Sequence, residues 1–318
     1  ASDVYKRQYE CSLGFIMILY SGACIAFCEG LRYIVKNMQD VEPTIFVTVP
    51  LMLEKMHNRI LKTAAKKKGG KLMLGIGKAL SNATSALGVD INDKIFGEIQ
   101  RTFGGRLRLI ITGAAAISPE VVKDFKTFGI PVYLGYGLTE CSPLVIGNND
   151  RIELPDSVGV PLPGVEAKII NADASGVGEI CVKGPMVMLG YYNDPEATAE
   201  VLDEDGFFHT GDLGTVDENG YYRITGRIKN VIVTKNGKNI YPEEVEYYLN
   251  KNPFVAESIV VGEDEDDETM VTAKVFPNVE AIREKLKQSS VSSEEVFKAL
   301  SNVVKEVNKK LPSYKSIK

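Results

Sequence analysis

The sequence has 318 residues, of which 44% are hydrophobic and 25% charged, as is typical of a globular chain long enough for more than one domain. A formal net charge of −5 argues against a nucleic-acid-binding surface over much of the protein. The two histidines, His57 and His209, disfavour a multi-histidine metal centre. The five cysteines show no paired CxxC spacing, so they are predicted to be reduced and mostly buried, without zinc, in a cytoplasmic protein.

The N-terminal segment contains two unusual stretches, residues 1–8 and residues 11–28. Residues 1–8, ASDVYKRQ, are predicted to be a non-native scar, because DVYKRQ resembles the translated end of an adapter used in sequencing libraries. Residues 11–28 are uncharged, which fits either a signal peptide or short membrane span, or a buried helix and strand. Glycine and serine interrupt the run and charged residues follow it directly. We therefore expect a buried helix and strand of a large core.

The next segments have the pattern of an α/β layer. Residues 42–50 predict a short buried strand, followed by a helix from Leu51 whose apolar residues recur at helical spacing. Residues 62–71 are basic, and a solvated surface loop or helix end is favoured over phosphate or membrane binding. Residues 106–147 then follow the order strand, helix, strand, loop.

From residue 156 the pattern changes to short β segments separated by turns, which predicts a small antiparallel or barrel-like subdomain over about 156–225. A mixed α+β tail follows. It contains a helix with Pro242 in its first turn, two paired strands joined by the acidic residues 263–268, and a final helix starting at Ser292 or Ser293. The acidic residues lack an EF-hand pattern and are interpreted as a solvated turn.

Generic nucleotide motifs are absent from the sequence. GYGLTE at 135–140 is not GxGxxG, and neither GIGKA nor NGKN completes a P-loop. Six longer strings nevertheless occur in a fixed order. They are ITGAAAIS (111–118), GYGLTECSP (135–143), GEICVKGPMVMLGYYNDPEAT (178–198), GFFHTGDLG (206–214), YRITGRIKN (222–230) and NGKNIYPEEVE (236–246).

This series resembles the adenylate-forming (AMP-binding) superfamily, which includes acyl-CoA synthetases, beetle luciferases and peptide-synthetase adenylation domains. The register is most similar to bacterial long-chain fatty-acid–CoA ligases. The resemblance implies an α/β fold: an incomplete large domain at 9–226, made of α/β layers plus the small β-barrel subdomain, and a small mobile α+β domain at 227–318. It also implies a ligase of lipid metabolism that uses ATP, Mg²⁺ and CoA to convert a fatty acid through acyl-AMP to acyl-CoA.

The resemblance implies roles for residues in the first two strings. Tyr136 would place its ring against adenine, while the backbone at Gly113 and Ala114, together with Gly137, would lie close to the nucleotide and acyl carboxylate. Thr139 would contact a phosphate oxygen. Glu140 would bind Mg²⁺, a hard cation that prefers oxygen ligands. Taken singly, Tyr136 could instead be core packing and Glu140 a helix cap.

The later strings carry the remaining implied roles. Asp212 would accept hydrogen bonds from both ribose hydroxyls, and Arg227 would hold ribose and phosphate with its planar fork. Lys229 stands at the hinge position about which the C-terminal domain rotates, and Gly237 would then lie beside the pantetheine arm of CoA. The alternative for Asp212 alone is a turn residue after Gly211. His209 is interpreted as structural.

Two parts of the superfamily pattern are missing: an upstream phosphate-binding loop with a lysine, and a lysine segment expected after LPSYKSIK. Neither Lys315 nor Lys318 is assigned to that role. The sequence is therefore predicted to be a C-terminal fragment with exposed apolar surface and little activity alone. Alternative functions are a non-catalytic AMP- or acyl-AMP-binding remnant, and an acyl–carrier-protein ligase or adenylation domain. The expected partners are fatty acid, ATP and CoA but no nucleic acid, in the cytoplasm, with peripheral membrane association left open.

Overall fold

The structure is a computed structural model that describes residues 8–66, 70–86, 92–150, 154–234, 237–265 and 268–318. The chain divides into two compact units. The first comprises residues 1–168, 181–210 and 216–223, and the second comprises residues 169–180, 211–215 and 224–318.

The first unit is built from helices on a mostly parallel sheet. Its helices are α1 (Met17–Tyr20), which continues a π-helical segment (Glu10–Ile16), α2 (Ile34–Val41), α3 (Pro50–Lys66), α4 (Gly70–Ala86), α5 (Asn92–Thr102), α6 (Pro119–Thr127) and α7 (Pro195–Val201). Its five-stranded sheet has the order β1 (Ile45–Thr48), β2 (Leu109–Gly113), β3 (Val132–Gly137), β4 (Leu144–Gly147) and β5 (Val160–Pro161). The predicted strand and helix near 42–50 and the predicted strand–helix–strand at 106–147 are thus confirmed.

The register of this sheet brings the ends of β2 and β3 together. Strands β1, β2 and β3 are parallel, with Ile110 opposite Val132 and Gly113 opposite Gly135. Strand β4 returns antiparallel to β3. Because parallel strands end at one edge, the loops that follow β2 and β3 lie side by side.

The core of the first unit lies between the sheet and its helices. Burial alternates along β3, as expected for a strand with one face packed. The large side chains of the core come from α3, α5, α6 and β2 and from the residues that directly follow α5 and α6: Leu53, Phe96, Phe103, Ile110, Phe125 and Phe128. This core holds the carboxyl ends of β2 and β3 in place.

The β-rich region predicted over 156–225 contains a four-stranded sheet. Its strands follow the order β6 (Glu166–Ile170), β7 (Gly178–Lys183), β8 (Phe208–Val216) and β9 (Tyr222–Arg227). Strand β8 includes the string FHTGDLG, and Gly211 within it has a left-handed φ of 69°. This places Asp212 inside a strand.

The α+β tail forms the C-terminal part of the second unit. Its elements are β10 (Ile232–Val233), β11 (Asn239–Ile240), α8 (Pro242–Asn250), β12 (Val255–Glu265), β13 (Glu268–Pro277), α9 (Val279–Leu286) and α10 (Ser293–Asn308). Strands β12 and β13 form the predicted pair and are antiparallel. The prediction of a turn over 263–268 is wrong for residues 263–265 and 268, which pair within the strands, and residues 266–267 lie outside the described residues. Ser292 and Glu295 form a reciprocal capping box that begins α10 where expected.

The structure corrects the prediction for residues 11–28. After the helical residues 10–20 no strand forms, and no residue of the segment is buried. Cys11, Cys24 and Cys28 are exposed, whereas Cys141 and Cys181 are buried, so the prediction of mostly buried cysteines is also wrong. The apolar sequence predicted burial, whereas each residue of the segment is half-buried or exposed. In the described part of the chain, no helix combines the length and apolar character needed to cross a membrane.

Candidate nucleotide site

The backbone at the end of β2 packs tightly against β3. A Cβ atom on Gly113 would lie 2.6 Å from the carbonyl oxygen of Gly135 on β3, so any side chain there would separate the strands. Ala114 has a φ of 70°, in the left-handed region that non-glycine residues rarely occupy. Such strain occurs at functional sites more often than elsewhere. The contact of Gly113 and Ala114 with a nucleotide stays a prediction.

Thr112 adds a buried polar group immediately before Gly113. Its side chain is fully buried, and the Oγ1 atom has no hydrogen-bond partner among the described residues. An unsatisfied buried hydroxyl carries a desolvation cost of about 1–3 kcal/mol. Sequence inspection did not single out Thr112, although it lies within the string ITGAAAIS.

Tyr136 lies on β3, two residues after Leu134 on the same buried face. Its side chain is only 8% exposed, which leaves little ring surface for a base. The core-packing interpretation of Tyr136 thus has structural support, and its contact with adenine stays a prediction. Gly137 ends the strand and cannot carry a side chain, because a Cβ would lie 1.8 Å from the carbonyl oxygen of Pro143.

Glu140 is held from two sides in the short 3₁₀ helix Thr139–Cys141. The Tyr191 hydroxyl donates a hydrogen bond to Glu140 Oε1 at 3.0 Å, and the Met188 amide donates to the Glu140 carbonyl at 2.7 Å. Leu138 occupies the cap position of the 3₁₀ helix, so Glu140 is not a helix cap. The other carboxylate oxygen, Oε2, makes no hydrogen bond within the described ranges, and it can therefore accept another ligand.

The raised pKa values of Tyr191 and Cys141 favour Tyr191 as a hydrogen-bond donor and Cys141 as an unreactive thiol. Burial, followed by the hydrogen bond to Glu140, raises the pKa of Tyr191 to about 12, so the hydroxyl keeps its proton at neutral pH. Burial, followed by the charge of Glu140, raises the pKa of Cys141 to about 12. A protonated buried thiol is a poor nucleophile, in agreement with the absence of a cysteine role in the sequence prediction.

A second group of predicted residues lies in the other unit. Asp212 on β8 is 5% exposed, and its Oδ1 lies 2.7 Å from Nε of Arg227 at the end of β9. The Arg227 side chain is 61% exposed. Nearby, the Gly211 amide donates to Glu179 Oε1 at 3.0 Å. The interpretation of Asp212 as a turn residue is wrong, because it lies in the middle of a nine-residue strand.

Lys229 and Gly237 lie in the segments that follow Arg227. Lys229 is exposed in the 3₁₀ helix Ile228–Asn230, and Nδ2 of the Asn230 side chain donates to Glu243 Oε1 at 2.8 Å. Gly237 is exposed with a φ of 69°, and residues 235–236 beside it lie outside the described residues. Their hinge and CoA-side roles stay predictions.

The structure thus brings Gly113, Ala114, Gly137, Thr139 and Glu140 to one edge of the first sheet, and it pairs Asp212 with Arg227 in the second unit. Sequence reasoning missed Tyr191 as a contact of Glu140. The tyrosine lies inside the string GEICVKGPMVMLGYYNDPEAT, which was singled out without roles for its residues. Only the fold shows that this string reaches Glu140.

The donor set at Glu140 fits Mg²⁺. The carboxylate offers an oxygen without a hydrogen-bond partner among the described residues. The preceding residue, Thr139, carries a hydroxyl group. Both are the hard oxygen ligands that Mg²⁺ prefers, and the ion commonly uses few protein ligands beside phosphate and water.

Comparison with known proteins gives matches along nearly the whole chain. Residues 7–192 match the family model of the AMP-binding enzyme, and residues 229–318 match that of the AMP-binding enzyme C-terminal domain. Relatives include human long-chain-fatty-acid–CoA ligase 1, 34% identical over 302 residues, and a peroxisomal long-chain acyl-CoA synthetase 6 of Arabidopsis thaliana, 32% identical over 296 residues. These alignments cover 88% and 87% of this chain.

Solved structures also resemble the protein. ATP-bound MatB from Rhodopseudomonas palustris has a TM-score of 0.64 at 27% identity, covering 95% of this chain and 51% of MatB. An anthranilate CoA ligase in complex with anthranoyl-AMP has a TM-score of 0.66 at 21% identity, a likeness of fold, covering 98% of this chain and 52% of that one. The chain spans 41% of the length of the human and Arabidopsis relatives, which agrees with the prediction of a fragment. By these matches and by its fold, the chain belongs to the AMP-binding enzyme family.

Proposed function

We propose that the protein is part of an ATP-dependent ligase that activates a long-chain fatty acid through acyl-AMP to acyl-CoA. The observation that carries the proposal is the buried Asp212 carboxylate paired with an exposed Arg227, both inside strings that resemble the family. The fatty-acid substrate is supported by the names of the relatives, which are long-chain-fatty-acid–CoA ligases. ATP as substrate is supported by the ATP-bound relative of the same fold.

Asp212 and Arg227 would act together on the ribose and phosphate of the nucleotide. A carboxylate has two oxygens and can accept hydrogen bonds from two neighbouring hydroxyl groups. Arg227 already fixes Oδ1 of Asp212 through Nε, and its remaining N–H groups can reach an anionic phosphate. Burial of Asp212 makes its position well defined, which favours orientation of the nucleotide.

Thr139 and Glu140 would serve the triphosphate. Mg²⁺, when bound, supplies positive charge to the phosphate oxygens during transfer. The task of this chain is then to hold the carboxylate in one orientation, which the hydrogen bond from Tyr191 does. Gly113, whose Cβ would collide with the carbonyl oxygen of Gly135, keeps the ends of β2 and β3 close together where the nucleotide and the acyl carboxylate would bind.

The proposed reaction has two steps. An oxygen of the fatty-acid carboxylate forms a bond to the α-phosphorus of ATP, and the bond to pyrophosphate breaks. The sulfur of CoA then forms a bond to the acyl carbon, AMP leaves with the electron pair of the broken C–O bond, and the thiol proton passes to solvent. No covalent bond to the protein forms, so the residues act by positioning and charge.

A stable acyl-adenylate mimic tests this proposal. The purified 318-residue chain is titrated with palmitoyl-sulfamoyl-adenosine in a calorimeter, beside the Asp212→Asn and Asp205→Asn variants. Asp205 is exposed and matches the change in charge. We expect binding by the parent chain, and a loss of about 10–150-fold in affinity for Asp212→Asn, because one hydrogen bond to a charged group contributes about 1.5–3 kcal/mol. Asp205→Asn should bind as the parent does.

Two outcomes would contradict the proposal. One is a folded parent chain that binds neither the mimic nor AMP. The other is equal binding by the Asp212→Asn and parent chains, which would remove Asp212 from the nucleotide site. Circular dichroism of each variant confirms that the comparison is made between folded proteins.

A further inference from the structure

The first unit contains a large cavity among its helices. Its volume is about 950 Å³, and it is lined by residues of α2, α3, α4 and α5 and of the turn before α2. Small-molecule sites commonly have volumes of about 300–1,000 Å³. The cavity is therefore large enough for a ligand of considerable size.

The inner wall of this helical cavity is apolar. Methionine, isoleucine, leucine and phenylalanine side chains from three elements meet there and bury most of their surface: Met56, Ile60, Leu74, Ile95, Ile99 and Phe103. No described residue fills the space between them. A wall of this composition binds alkyl groups, because the transfer of CH₂ groups from water to such a surface is favourable.

The rim of the helical cavity is basic. Arg32, Lys36 and Arg59 line it with exposed side chains, and none of the three forms an ion pair with a described residue. Glu98 is the one acidic residue among the described lining residues. The rim thus carries three positive charges against one negative charge, which favours an anionic group at the mouth.

The helical cavity is separate from the nucleotide residues. Helices α2 and α5 end just before β1 and β2, so their lining residues lie toward the amino ends of these parallel strands. Gly113 and Thr139 follow the carboxyl ends of β2 and β3. On α3, Arg59 lies nine residues beyond Pro50, about 14 Å along the helix from the end of β1. The two sites belong to opposite edges of one sheet.

We propose that the helical cavity is a second binding site, which takes an amphiphile with one long alkyl chain and an anionic head. The alkyl chain lies against the apolar wall, and the head meets Arg32, Lys36 and Arg59. A free fatty acid and a fatty acyl-CoA share this chemistry. The proposal does not depend on the proposed activity, since none of its residues belongs to the nucleotide strings.

The chemistry predicts two dependences of affinity on the ligand. Each further buried CH₂ group should strengthen binding about fourfold until the cavity is filled. At equal chain length, dodecanoate should bind more tightly than dodecyltrimethylammonium, because only the anion is attracted to the rim. Loss of two exposed rim charges should weaken dodecanoate by about 3–10-fold, the range for solvent-exposed pairs.

The experiment is displacement of the fluorescent fatty acid cis-parinarate from the 318-residue chain. Competitors are decanoate, dodecanoate, dodecyltrimethylammonium and dodecanoyl-CoA, all below their micelle concentrations. The test variants are Arg59→Gln with Lys36→Gln, and Ala64→Phe, which fills the cavity from α3. Lys123→Gln on α6 is the control for charge, since Lys123 is exposed and does not line the cavity. Ala114→Trp blocks the proposed substrate side of the nucleotide site.

Saturable binding that persists in Ala114→Trp and Lys123→Gln, but weakens in the rim and cavity variants, would support the second site. The relative affinities of dodecanoate and dodecanoyl-CoA then show whether the helical cavity prefers a free fatty acid or a fatty acyl-CoA. The proposal is overturned if cis-parinarate does not bind, if the rim variant binds as the parent does, or if the cationic detergent competes equally. The rim variant keeps the test valid should Ala64→Phe fail to fold. ATP affinity of the rim variant, expected to be unchanged, separates this result from the nucleotide proposal.

Discussion

Tyr191 fixes one oxygen of the Glu140 carboxylate and leaves the other available, so a single hydroxyl group controls the orientation of the proposed Mg²⁺ ligand. Tyr191→Phe removes that hydroxyl and keeps the ring. The ratio of ATP affinity with Mg²⁺ to ATP affinity without it should be about 3–10-fold smaller in this variant than in the parent, because a hydrogen bond to the charged Glu140 is lost. The measurement is ATP titration with and without Mg²⁺.

The neighbouring Tyr192 offers a matched control for this prediction. The side chain of Tyr192 is 93% exposed, and within the described residues it forms no hydrogen bond with Glu140. Tyr192→Phe should leave the effect of Mg²⁺ unchanged, and AMP affinity without metal should be the same in both variants. If the two phenylalanine variants behave alike, Tyr191 does not position Glu140.

Some residues of the candidate site could be predicted from the sequence and others could not. The strings identified Glu140, Asp212 and Arg227, and the structure places the last two in direct contact. Tyr191 and Thr112 could not be assigned from the strings alone, because their importance comes from a contact and from a buried, unsatisfied hydroxyl. Both are properties of the folded chain.

At the scale of elements, Asp124 connects three helices. His57 Nε2 on α3 lies 2.7 Å from its Oδ2, and Lys78 Nζ on α4 lies 2.5 Å from the same atom on α6. Burial alone raises the pKa of Asp124, but the hydrogen bonds from His57 and Lys78 outweigh it, and the pKa is lowered. The charged carboxylate therefore stabilises the packing of α3, α4 and α6.

The sign of the pH dependence follows from this lowered pKa. Stabilisation by Asp124 is complete above the pKa of the unfolded chain, about 3.9, and is lost as pH falls through the lower folded value. We expect Asp124→Asn to lower the free energy of unfolding by about 1.5–3 kcal/mol at pH 7. The difference from the parent should shrink below about pH 4. Denaturant unfolding at a series of pH values measures it.

Asp40→Asn is the control for this prediction, because Asp40 is exposed on α2 and makes no ion pair with a described residue. It should change stability little at any pH. The free energies of unfolding of Asp124→Asn and the parent could instead differ by a constant amount from pH 7 to pH 3. That result would show that the charge of Asp124 does not cause the stabilisation.

Secondary-structure elements that depend on residues close in sequence were predicted well. Elements that depend on pairing with distant strands were not. Ser292 and Glu295 begin α10 through a capping box that depends only on nearby residues. Strand β8 contains two glycines, and glycine weakens strand propensity. It forms a strand because it pairs with β7 and β9 in a sheet. That pairing involves residues far apart in sequence, which local patterns do not report.

At the scale of the whole molecule, the exposed apolar surface of residues 11–33 is the feature with the clearest consequence. Tyr20, Phe27 and Leu31 are 93%, 77% and 77% exposed, and the rings of Phe15 and Phe27 lie 6.4 Å apart on this surface. The sequence predicted exposed apolar surface, although it did not predict its location in this segment. Contiguous apolar patches of this kind promote association.

We therefore expect the 318-residue chain to self-associate as its concentration rises, because contact between copies removes these side chains from water. Sedimentation velocity from about 1 to 50 μM measures the association. The double substitution Leu19→Glu with Phe27→Ser should shift the chain toward the monomer, since a charge in the patch opposes burial. Phe276→Ser, at an equally exposed site on β13, should leave association unchanged. A parent chain that stays monomeric throughout would mean that the 11–33 surface is not adhesive, and association reduced equally by Phe276→Ser would assign it to general hydrophobicity.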